Sequence, residues 1–125
     1  MNPQPKTVAH RNPALLDMAR GRRCLLLAVE ACETDRGDST VACHSNWAKH
    51  GKGRARKADD QYSVWGCARC HDWLDNSSAP KAEKMRLFES AHLRQIKEWA
   101  KIEVDTGESE KNRKAARWAL GLVNQ

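Results

Sequence analysis

Cysteine spacing constrains this chain more than any other feature. Cys67-Ala-Arg-Cys70 is a knuckle in which two thiols separated by two residues aim at one tetrahedral metal. A second pair, Cys24 and Cys32, brackets an apolar stretch upstream. The two pairs can close a four-cysteine zinc site joining the start of the fold to its middle. The spacing of Cys24 and Cys32 is looser than a knuckle, and the competing reading makes them small buried apolar residues. A staple of this kind is needed. Of 125 residues only 40% are hydrophobic, with one Phe and one Tyr, so the chain is a poor builder of a large core.

The apolar pattern places elements around the cysteines. Asn12-Pro13 reads as a helix N-cap followed by Pro at the first helical position, opening a helix over 13–20 that Gly21 stops. Arg22 to Val29 reads as a strand, and so does 40–44. A polar loop over 45–61 leads to a β-prone segment, 62–66. A helix is expected to begin at His71. Met85, Leu87, Phe88, Ala91, Leu93, Ile96 and Trp99 recur at mostly three- and four-residue spacings, predicting an amphipathic helix over 80–104. A last helix over 108–123 carries Ala115, Trp118, Ala119 and Leu122 on one face. The expected organisation is a flexible arm over 1–10, a zinc-stapled domain over 11–79, and a helical extension over 80–125. Those last helices could pack on the core, pair with a second copy as a homodimer, or receive a protein partner.

The net charge of +6 and an isoelectric point near 9.3 favour an anionic partner such as nucleic acid. No apolar run is long enough to span a membrane. Residues 1–10 lack the apolar core of a secretory signal. The expected compartment is the cytoplasm, where five reduced cysteines suit metal binding.

Histidines supply the candidate chemistry. His71 follows Cys70 directly, and Asp75 lies one helical turn further on the same face. A His and a carboxylate side by side suit a divalent cation that also touches phosphate oxygens. Alternatively, His71 is a fifth zinc candidate and Asp75 a surface charge. His44 ends a strand and can accept a proton from water at neutral pH, unless it is a satisfied structural histidine. Cys43 precedes it; on an alternating strand the two point to opposite faces. His50, Lys52, Arg54, Arg56 and Lys57 form a glycine-rich basic loop that could contact phosphates or simply be solvated. His10 and His92 carry no assigned role.

Taken together, Ala42-Cys43-His44, the basic loop and Cys67-Ala-Arg-Cys70-His71-Asp72-Trp73-Leu74-Asp75 resemble the HNH branch of the His-Me finger endonucleases. More narrowly, Arg20 to Asp75 is similar to a phage and prophage family of small nucleases. The resemblance implies an α+β fold. Its centre would be a small zinc-stapled ββα-metal core of strands 40–44 and 62–66 and a helix from about 70, with C-terminal helices added. It implies a metal-dependent endonuclease hydrolysing phosphodiester bonds in DNA, in phage or prophage DNA processing or recombination. His44 would be the general base. His71 and Asp75 would hold Mg2+ or another divalent cation, beside a structural Zn2+ on the four cysteines. Two positions depart from the family pattern. Cys43 stands where a further metal ligand, Asp or His, is usual. The family's central Asn has no counterpart before the knuckle, where Asp60, Gln61 and Tyr62 stand; Asp60 could hold the tautomer of His44 or help bind metal. A non-catalytic zinc module that binds nucleic acid would use the same cysteines and the same loop.

Overall fold

The structure, a computed structural model, describes residues 8–34, 36–53 and 56–123. Its chain order is α1 (Pro13–Asp17), β1 (Val41–His44), a single 3-10 turn (Ala48–His50), β2 (Ser63–Gly66), α2 (Ala68–Asn76), α3 (Lys81–Val104) and α4 (Glu110–Val123). It is a small mixed α/β fold around one two-stranded sheet.

α1 starts as its sequence dictates. The Asn12 side chain accepts from the Leu15 amide at 3.2 Å, and Pro13 fills a position whose N–H would have no helical partner. The helix is shorter than expected, ending at Asp17, with turns running on to Gly21 at φ +78. β1 and β2 pair antiparallel, with Cys43 opposite Val64 and His44 opposite Ser63. Alternation therefore sends Cys43 and Val64 into the core and turns His44 to the other face. Both Cys43 and Val64 are fully buried.

Residues 22–29 do not form the expected strand. Their backbone bonds to β2 only at the Trp65 carbonyl, which accepts from the Leu25 and Leu26 amides at 2.8 and 3.3 Å. Leu27 then adopts φ +51, a left-handed conformation that a strand cannot contain. The chain between Cys24 and Cys32 has to fold back on itself, and the Cys24 amide closes the loop on the Thr34 carbonyl at 3.0 Å. α2 begins at Ala68 rather than at His71, so Cys70 is already helical.

α3 buries Phe88, Ala91, Gln95, Trp99 and Ile102, spaced three or four residues apart. Leu93, expected on that face, points outward and is 64% exposed; the polar Gln95 takes a buried place instead. The reason is a backbone need. The Gln95 Oε1 accepts from the Trp65 amide at 2.8 Å, on the edge of β2 that no third strand covers. Two neighbours act likewise. His92 Nε2 donates to the Gln61 carbonyl at 2.8 Å, and the Arg94 guanidinium donates to the Leu25 carbonyl at 2.7 Å. Phe88 and Trp99 add the largest apolar burial on this helix, about 1.5–3 kcal/mol for a fully buried side chain of this kind.

α4 packs on α3 and α1 through Ala115, Ala116 and Ala119, whose small side chains allow close approach. Trp118 rests partly buried against the same core. The tryptophans that could have met a second copy thus pack on their own chain. The turn before α4 is tied down by Glu108, which takes both ends of the Arg22 guanidinium at 2.7 and 3.2 Å. Among the described residues no helix is long and apolar enough to cross a membrane.

Gly66 shows how tight the sheet packing is. A Cβ there would lie 2.6 Å from Leu26 Cδ1 and 2.7 Å from Cys43 Sγ. Gly66→Ala is expected to cost about 1–3 kcal/mol by overpacking, read as a lower urea midpoint with an unchanged slope. An unchanged midpoint would show that this junction is looser than its geometry.

Candidate active site and metal centre

The four thiols of Cys24, Cys32, Cys67 and Cys70 come together, with their sulfurs all within 4.8 Å of one another. A tetrahedral zinc with bonds of about 2.3 Å would set its sulfurs about 3.8 Å apart, and Cys67 and Cys32 already stand at 3.9 Å. Backbone amides aim at the sulfurs: Ala28 donates to Cys70 at 3.3 Å and Glu33 to Cys67 at 3.5 Å. Such donors favour thiolates over thiols. The Cys70 thiol, hydrogen-bonded to Cys24, holds the Cys24 pKa well below its ordinary value, and the same bond holds Cys70 above its own. Burial raises Cys32. A divalent cation would displace the remaining protons. The cluster could hold a metal ion such as zinc. Cys43 stays apart from it, sealed in the core, where burial pushes its thiol up.

This cluster sets the start of α2. Cys67 is the N-cap, and its carbonyl accepts the His71 amide at 2.9 Å. Ser39 caps the same end, accepting from the Ala68 amide at 3.1 Å while its hydroxyl donates to Glu33 at 2.8 Å. One turn along the helix, His71 Nε2 lies 3.0 Å from Asp75 Oδ2. Both side chains are 40% exposed. Asn46 donates to the other Asp75 oxygen at 3.0 Å.

His44, at the end of β1, faces the same hollow. His44, Lys52, Lys57, His71 and Asp75 line one cavity of about 300 Å³. The Nε2 of His44 lies 2.8 Å from Asp60 Oδ1, and Asp60 is 1% exposed. Burial by itself would raise the Asp60 pKa. The bonds from His44 and the Asn12 amide, with the charges of His44 and Arg11, outweigh it and hold the carboxyl below its usual range. Asp60 is therefore an anion at neutral pH, and its bond fixes the proton of a neutral His44 on Nε2. Nδ1 has no protein partner among the described residues.

The basic loop divides. The His50 ring stacks on Tyr62 with centroids 4.2 Å apart, and Nδ1 lies 2.6 Å from the Ser45 hydroxyl. Burial lowers its pKa to about 4, so it stays neutral and props the loop. Lys52 and Lys57 reach the cavity. Arg56 sits 3.8 Å from Asp59. Arg54 lies outside the described residues.

Three groups escaped the sequence. Asn46 steadies Asp75, Arg11 reaches Asp60 at 3.3 Å, and Lys81 and Lys84 line a second cavity that shares Asn46 and Asp75 with the first. Nothing in local spacing marks them, because each is brought in across a loop or from another element. The expected arm over 1–10 is also corrected at its end. His10 donates its amide to Asp59 and accepts from the Asp60 amide at 3.0 Å. Residues 1–7 lie outside the described residues. A larger cavity of about 600 Å³ opens beside Glu33, Arg69, Asp72 and Trp73, and no histidine lines it.

A family model described as Putative nuclease YbcO matches residues 13–104. The chain belongs to that family. The matched residues run from α1 to the end of α3, so they take in the long helix that the resemblance over Arg20–Asp75 left out. A nuclease family implies a nucleic-acid substrate. No curated protein and no solved structure matches the chain.

A chain folded with zinc is expected to carry one ion, and Cys70→Ser to lose it together with cooperative unfolding. Metal content by mass spectrometry and circular dichroism would read both. Full zinc content in Cys70→Ser would contradict the four-thiol site.

Proposed function

We propose that this chain is a metal-dependent DNA endonuclease of the HNH type, with a ββα-metal core formed by β1, β2 and α2. The observation that carries this reading is the His44–Asp60 pair, with its free Nδ1, on the wall of a cavity that also holds His71, Asp75 and two lysines.

The residues suit a hydrolysis. Asp60 fixes the His44 ring and its tautomer, leaving Nδ1 to take a proton from water. The water oxygen then bonds to phosphorus, the bond to the leaving sugar oxygen breaks, and solvent returns a proton to that oxygen. Lys52 and Lys57 hold the phosphate and balance its charge. His71 and Asp75 fit a divalent cation such as Mg2+. Two bonds of about 2.1 Å at a right angle span about 3 Å, which is the separation seen between Nε2 and Oδ2. Bound there, the cation would supply positive charge to the scissile phosphate and its leaving oxygen. Cys43 adds no ligand, so the protein would offer two and leave the remaining positions to water and phosphate.

The four-cysteine site would be structural zinc, remote from the chemistry. Free thiols fit a reducing compartment such as the cytoplasm. The resemblance read from the sequence supports a role in phage or prophage DNA processing or recombination. A non-catalytic zinc module would need the cysteines and the lysines, but gives no reason for a buried carboxylate behind His44.

The test is nicking of supercoiled plasmid with Mg2+ or Mn2+. His44→Ala is expected to slow cutting by about 10²–10⁴-fold while DNA affinity stays within about twofold of the parent. Equal cutting rates for parent and variant would overturn the mechanism.

A further inference from the structure

Asp60 does not serve His44 alone. Its Oδ2 accepts from the Asn12 amide at 2.6 Å, and its Oδ1 is shared between His44 Nε2 at 2.8 Å and Arg11 Nη1 at 3.3 Å. The Arg11 guanidinium is itself anchored, donating to the Ala58 carbonyl and to the Lys57 carbonyl at 2.9 Å. The segment just before α1 is thus bonded to the loop that enters β2, with a positive charge on the oxygen behind the histidine. Arg11 lies before the matched residues 13–104.

The chemistry of a His–carboxylate pair gives this charge a purpose. A buried carboxylate beside an imidazole favours the imidazolium. An imidazolium has no lone pair on Nδ1, so it cannot take a proton from water. A guanidinium on the same carboxylate oxygen opposes that drift.

We propose that Arg11 is a positioning residue for His44: by sharing Asp60 Oδ1 it keeps the imidazole neutral, and its Nδ1 able to accept a proton, near neutral pH. The proposal rests on His44 as the general base. The other charged groups around His44 are Lys52 and Lys57 from the loop and His71 and Asp75 from α2. The β2 residue opposite His44 is the uncharged Ser63. Of these only Lys57 meets Arg11, through its backbone carbonyl and not its ammonium, so a change at Arg11 leaves the facing charges in place.

The experiment compares Arg11→Gln and Arg11→Lys with the parent, as full-length zinc-loaded protein. Arg11→Gln removes the charge and keeps an amide donor for the Ala58 and Lys57 carbonyls; Arg11→Lys keeps the charge. The His44 ring is titrated by NMR without DNA, and nicking rates are followed against pH with Mg2+. Arg11→Gln is expected to raise the His44 midpoint by about one pH unit. The acid limb of the rate profile should move up with it, giving about tenfold slower nicking well below the parent's midpoint, a few-fold loss near it, and recovery toward the parent rate above about pH 8.5. Arg11→Lys should stay near the parent in both readouts. An unmoved His44 midpoint in a folded Arg11→Gln overturns the proposal, as does a rate loss equal at every pH. If Arg11→Gln does not fold, a His44 midpoint in Arg11→Lys far from the parent's overturns it, and one near the parent's supports it. A shifted midpoint in a chain that cuts no DNA under any metal leaves the Arg11 coupling standing and sinks the base assignment instead.

Discussion

Four sulfurs within 4.8 Å of one another hold the two halves of this molecule together. Two come from a loop that could not keep its shape alone, and two from the first turn of α2 and its cap. Without a cation, four clustered thiols offer little attraction; with one, they would join residues far apart in the chain. The consequence reaches beyond the cluster. The carbonyl of Cys67 takes the amide of His71, so the geometry of the sulfur cluster sets the helix start that carries His71 and Asp75. A modest apolar core then needs only to fill in around a framework that is already fixed.

The second framework is α3. His92, Arg94 and Gln95 each satisfy a backbone group of the segments beneath: Gln61, Leu25 and Trp65. A two-stranded sheet alone is marginal, and here a helix takes the place of the missing third strand. The same helix supports the loop that carries His50, whose ring lies 6.3 Å from Phe88. The family match extends through α3, as expected if the helix is part of the nuclease domain rather than an addition to it.

Much of this was legible in the sequence, and for physical reasons. The cysteine knuckle, β1, β2 and the two long helices announce themselves through local spacing, as does the i, i+4 pairing of His71 with Asp75. What failed depended on distant partners. Arg22 to Val29 looks like a strand because it holds an apolar run, yet the chain turns back at Leu27 between Cys24 and Cys32. Gln95 looks like a surface residue until the uncovered Trp65 amide is known. Leu93 fits an apolar helix spacing but falls outside the buried face. His50 carries the composition of a phosphate contact and is instead stacked on Tyr62. Asp60 was legible as a partner for His44; Arg11 behind it was not, because the contact spans the whole first part of the fold.

The central claim is that two chemically different metal sites lie on either side of the start of α2. Anomalous diffraction from crystals grown with zinc and soaked in Mn2+ would test it directly. The account predicts a zinc peak among the four sulfurs and a separate manganese peak bonded to His71 and Asp75, facing His44. Manganese absent from that pair, or found only among the cysteines, would contradict it.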